Sequence, residues 1–157
     1  MLRPGLHDED SFDRLIQRLR MTHDVDAALI LRIVTNVCTR LPALGNSGRR
    51  MRLDRLILCE AWTDAALSLV ELELPNWRLR RLVYDGGEWL CSLSRHPHLP
   101  IEIDELAEGR HASIASAILI SLLEAKHLLA AKAAPRPSTV PHVRARTAEQ
   151  VCCDNFR

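Results

Sequence analysis

No two of the five cysteines stand at C-x-x-C spacing, and an odd count does not make a disulfide framework. Reduced thiols in a cytoplasmic protein are the expectation. Strong charge of one sign is missing too. The formal net charge is +1, which excludes a global field drawing the chain to nucleic acid or membrane. The N-terminal run MLRPGLHDEDSFDR carries acids at once and has no apolar centre, so it does not read as a secretory signal. The longest apolar runs, residues 27–31 and 117–123, are interrupted by Arg32, Ser121 and Glu124. They are short for a bilayer span, and no membrane partner is expected. There is no G-x-S-x-G elbow and no internal repeat of useful length.

What is present is a hydrophobic share of 47%, enough for a packed core. The organising stretch is WRLRRLVYDGGEWLCSLS, residues 77–94. Asp85-Gly86-Gly87 supplies two residues that reach positive φ at no steric cost, as a tight hairpin turn requires. Its flanks are rich in Trp, Tyr, Val and Leu, which suit a pleated surface. A two-residue loop pairs Tyr84 with Trp89, whereas a three-residue loop pairs Tyr84 with Glu88; both stay open. Leu79 and Leu82 have opposite parity, which places a bulge near Arg80-Arg81. An isolated hairpin is marginal in water, so it needs helices, a third strand or a second copy.

Apolar spacing predicts a helix from Asp10, capped by Asp10 or Ser11, through Phe12, Leu15, Ile16 and Leu19. A second helix is expected over residues 25–41, followed by a flexible link at 45–48. A third is expected over residues 53–74, with Leu58, Trp62, Ala65, Leu69 and Leu72 inward and Glu60, Asp64 and Glu71 outward. Residues 100–104 read as an edge strand and 105–110 as an acidic loop. A last helix runs from Ser113 to about residue 132. Ile114, Ile118, Leu122, Ala125 and Leu129 face inward, and Ser113, Ser116, Glu124 and His127 face solvent. The expected organisation is a helical arm at 1–48, an α+β core at 49–132 and a disordered tail at 133–157. The core is a small antiparallel sheet of two or three strands packed against helices.

The runs ALSLVELELPNW, YDGGEWLCSLS and SIASAILISLLEA resemble small bacterial and phage proteins of the ABA-sandwich type, over about residues 56–130. The resemblance implies a fold and supplies no catalytic residues.

Four residues have metal-ligand chemistry: Cys91, His96, His98 and His111, at C-x4-H-x-H-x12-H spacing. Thiolate and imidazole can close a tetrahedral zinc site, but this spacing matches no standard one. His96 and His98 in an extended segment share a face, about 7 Å apart at ~3.3 Å rise per residue. The alternative is a small core cysteine beside a solvated loop. Cys152-Cys153 in the tail is a second soft-metal or redox candidate. Two arginine groups, Arg49, Arg50 and Arg52 with Arg55, then Arg78, Arg80 and Arg81, have the fork that phosphate takes. With Trp77 and Tyr84 near, RNA is a possible partner. The alternative pairs them with Glu60, Asp64, Glu71 and Glu73, at about 0–1 kcal/mol each. Ser94-Arg95-His96 and the carboxylates Glu102, Asp104, Glu105 and Glu108 do not compose a triad by adjacency. The balance favours a non-catalytic binding or regulatory protein that associates with itself or another protein, without a cofactor.

Overall fold

In the computed structural model residues 6–133 are described, with side chains from Phe12 onward. The chain forms α1 (Leu6–Met21), α2 (Ala27–Val37), a 3-10 turn (Leu41–Leu44), α3 (Gly48–Leu58), α4 (Trp62–Glu73), β1 (Arg78–Asp85), β2 (Glu88–Ser94), β3 (Leu106–His111) and α5 (Ile114–Ala133). This is an α+β fold with one antiparallel sheet in the order β1-β2-β3.

The hairpin takes the two-residue loop, with Tyr84 opposite Trp89 and Asp85 opposite Glu88. Gly86 and Gly87 have φ of 60° and 91°, where a side chain would be strained. The register slips between Leu79 and Arg81, so Arg80 is the bulged residue. Beyond it, Leu79, Leu82, Tyr84, Trp89, Cys91 and Leu93 fall on one face by strand alternation.

The third strand is not where sequence placed it. Residues 100–104 form a turn closed by the Ile103 and Asp104 amides on Pro100 O. The expected acidic loop is β3 instead. Its alternation is hidden because its inward positions carry no large apolar side chain: Ala107, Gly109 and His111 point inward, while Glu108 and Arg110 are exposed. Short side chains are needed because α5 lies directly on them. A Cβ at Gly109 would meet the Ala117 carbonyl oxygen, and the Ser121 nitrogen at 2.7 Å.

The predicted helix over residues 53–74 is two helices. Glu60 has φ of 54°, and the Ala61 amide donates to Leu56 O while the Glu60 amide donates to Ile57 O. That is a Schellman stop with glutamate at the position glycine usually holds. No glycine or proline announces it. Leu58, expected inward, is 83% exposed in consequence. Upstream, Ser47 accepts from the Arg50 amide and starts α3, and Asp26 accepts from Leu29 to start α2. Helix α1 begins at Leu6, so Asp10 and Ser11 lie within it and do not cap it.

Helix α5 is the middle of the molecule. The sheet packs on one side of it, through β2 and β3, and α1 and α4 pack on the other. Residues 115–123 are therefore buried all round, Ser116 included, which corrects its placement on a solvent face. By length and composition alone α5 could cross a membrane; here its apolar residues form the centre of the fold. One cluster of buried residues extends from Phe12 to Ala125, with α1 and α2 contributing beside the later elements. Trp77 is the buried tryptophan, at 3% exposure, whereas Trp89 is half-buried against Tyr84. Apart from Ala133, which ends α5, the expected disordered tail lies outside the described residues.

Candidate functional site

Two surfaces combine exposure with chemistry: the outer edge of β1, and a cleft between α2, the α4–β1 corner and α5. Strand β1 is eight residues long, and among the described residues no strand pairs with its outer side. It carries three large apolar side chains in the open: Leu79 at 43%, Val83 at 41% and Tyr84 at 61% exposure. Helix α5 covers β2 and β3 more than β1, so Leu79 and Tyr84 sit on the helix side of the sheet, beyond its shelter. Tyr84 leans on Trp89, with ring centroids 5.3 Å apart.

The cleft encloses about 440 Å³. Its floor is Glu73, whose carboxylate is wholly buried. Glu73 accepts from the Leu41 amide at 2.7 Å, the Arg40 amide at 3.0 Å and Lys126 Nζ at 2.7 Å. The carboxylate thus caps the 3-10 turn and pins it to α4 and α5. This residue was expected as a partner of the arginine groups in mostly solvated ion pairs. The missed signal is spacing: Glu73 lies four residues after Leu69, and Lys126 four after Leu122, so both stand on apolar stripes. The Cys38 thiol nearby is pushed up to about 12, by burial first and then by the Glu73 charge, so it stays protonated.

Cys91, His96, His98 and His111 are not assembled into a metal site. Among the described residues no group of three or more His, Cys, Asp or Glu is placed to hold an ion. Cys91 is buried on β2, takes a hydrogen bond from Ser121 Oγ, and has a thiol pKa raised by burial. His111 is buried at the end of β3, with Nδ1 accepting from the Ser113 amide. His96 and His98 stack on each other in the β2–β3 loop, 6.2 Å apart. The expected shared face is real for these two, but the strand pairing turns Cys91 to α5. Cys152 and Cys153 lie outside the described residues.

The arginines divide. Arg49, Arg50 and Arg52 lie on α3 and Arg78, Arg80 and Arg81 on β1, so they do not form one strip along an element. Arg50 pairs with Asp54 one turn on, and Arg78 donates to the Pro75 and Trp77 carbonyls. Arg80, turned out by the bulge, binds Asp104 and the Leu99 carbonyl. Its partner is in the β2–β3 loop and not on the preceding helix, contrary to expectation. Arg49, Arg52 and Arg81 remain exposed.

Asp104 also accepts from Ser94 Oγ and the His96 amide. No imidazole stands between that serine and the carboxylate, so the geometry is a loop clamp and not a triad. Burial pushes the Asp104 carboxyl up; Ser94, the His96 amide and Arg80 outweigh this and hold it below the usual range. Its stabilisation is then complete above the unfolded value of about 3.9 and is lost as pH falls through the lower folded value. Asp104→Asn should make melting temperature less steep in pH below about 4, read by circular dichroism. An acid limb identical to that of the parent would show that Asp104 is not the clamp. Comparison with protein-family models, with curated proteins and with solved structures finds no match.

Proposed function

We propose that this chain is a non-catalytic binding module that associates with a second copy of itself through β1. The observation that carries the reading is the uncovered β1 edge with its exposed Leu79, Val83 and Tyr84. Exposed strand edges recruit strands unless they are blunted. Arg80 would ordinarily blunt this one, but its side chain is engaged with Asp104.

The strand is also self-complementary. Take two copies of β1 antiparallel, related by a two-fold axis through Leu82 and normal to the sheet. Arg81 then faces Val83. Past the Arg80 bulge, Leu79 faces Tyr84 and Arg78 faces Asp85. Opposed residues share a sheet face, so Leu82 meets its own copy and Leu79 meets Tyr84 on one face, Arg81 lies beside Val83 on the other, and each end closes on opposite charges. The register repeats the slip that β1 already makes on β2. The product is a six-stranded sheet with both β1 edges covered.

Light scattering should give a mass that rises to twice 17.8 kDa with concentration. Tyr84→Lys should hold the chain at the monomer mass. Arg78→Asp and Asp85→Arg should each weaken association alone, because like charges then oppose. Mixing these two variants should restore it, since every end pair is again opposite. A parent chain that stays monomeric at about 100 μM, or a mixture no tighter than either variant, would refute the pairing.

A further inference from the structure

The cleft over Glu73 has a charge balance that its own residues leave incomplete. Lys126 and two backbone amides already satisfy the Glu73 carboxylate. Two further cations line the space, Arg40 and Arg95. The Arg40 guanidinium has no partner among the described residues; only its backbone amide is used. Arg95 meets Glu105 at 3.5 Å, and that carboxylate is shared with Lys132 at 2.7 Å. One guanidinium lining the cleft is therefore unpaired among the described residues, and the second is held by a carboxylate it shares with Lys132. Asn36 and Asn76 add amide groups, while Phe12, Leu129 and Ala130 form an apolar wall.

We propose that this cleft binds a small organic anion, a carboxylate or phosphate joined to an apolar or aromatic body. The volume of about 440 Å³ lies in the range of small-molecule sites. Guanidinium forks favour planar or tetrahedral oxyanions over a neutral polar group. The floor is fixed beforehand, because Glu73 ties three elements together, so little ordering is required when a ligand arrives. A cation is disfavoured by Arg40 and Arg95, which remain once Lys126 and Glu73 have neutralised each other. The wall beside Leu129 and Ala130 sets the second requirement. A bare inorganic anion leaves it in contact with water and gains nothing from it.

The full chain is titrated by calorimetry with four probes: phenyl phosphate, benzoate, inorganic phosphate and benzyl alcohol. Phenyl phosphate or benzoate should bind saturably at one site, and the tighter of the two identifies the headgroup. Inorganic phosphate should bind at least about tenfold more weakly, and benzyl alcohol should not saturate. The double variant Arg40→Gln/Arg95→Gln should weaken the better probe by at least about tenfold while keeping the parent circular dichroism spectrum. Ala130→Trp, which fills the cleft and alters no charge, should remove binding independently. No saturation by either aromatic anion up to about 10 mM would overturn the proposal. So would equal affinity for benzyl alcohol, or undiminished binding in both variants. None of these readouts depends on the mass of the particle, so failure here is separable from failure of the β1 pairing.

Discussion

Gly109→Ala should destabilise the fold by more than about 3 kcal/mol, beyond the usual cost of an added methyl group in a core. The new Cβ would lie against backbone: the Ala117 carbonyl oxygen, and the Ser121 nitrogen at 2.7 Å. Backbone atoms inside a helix cannot rotate away as a side chain can. Either β3 lifts from α5 or the helix bends, and both open the contact that holds the sheet to its helix. The methyl group is harmless to the strand conformation itself, since Gly109 has ordinary negative φ. A loss measured by urea midpoint would thus report the close approach and nothing else. For a domain whose total stability is about 5–15 kcal/mol, this change removes a large fraction. An unchanged midpoint would mean that β3 does not lie on α5 at this distance.

Glu73→Ala should cost about 3–5 kcal/mol, the range for breaking a buried ion pair from one side. The loss leaves Lys126 without its counter-charge at 11% exposure and strips two amides of their acceptor. Glu73→Gln should recover part of it, because an amide oxygen still accepts from Arg40 and Leu41. Lys126→Met in the Glu73→Gln background should then recover more, since no unpaired charge remains in the interior. The order alanine, glutamine, double variant, from least to most stable, can be read from thermal melts. If Glu73→Ala melts with the parent, the carboxylate is not the pin between the 3-10 turn and α5.

The hairpin was legible because its chemistry is local. Two glycines mark the turn, though not its length, and the parity break between Leu79 and Leu82 places a bulge near Arg80-Arg81, which the structure puts at Arg80. The stripe of α4 was legible in its second half for the same reason: Ala65, Leu69 and Leu72 are all buried. The break at Glu60 was not, since a glutamate in left-handed conformation leaves no mark in composition. Nor was β3, whose Glu-Gly-Arg centre reads as a loop until one sees that α5 requires a residue without a side chain there.

The four metal-ligand candidates are not brought together for a related reason. Spacing along the chain put Cys91 near two histidines, but strand alternation turned its thiol to Ser121. The arginine groups were read either as a phosphate surface or as partners of the helix acids, yet Arg50 and Arg78 bond locally and Arg80 finds its partner in a distant segment. Asp104 serves Arg80 across the β2–β3 loop, and helix spacing cannot foresee that. The Glu73–Lys126 pair was half-visible, as two opposite charges each on an apolar stripe, but only packing decides that the stripes face one another.

The sequence by itself determined the α+β class, the glycine corner with its bulge and the periodic apolar faces, because these follow from torsional preference and from spacing over a few residues. Tertiary structure alone decided which face each stripe met, where the third strand lay and which charges were buried. Those outcomes depend on contacts between segments tens of residues apart, and no local preference encodes them.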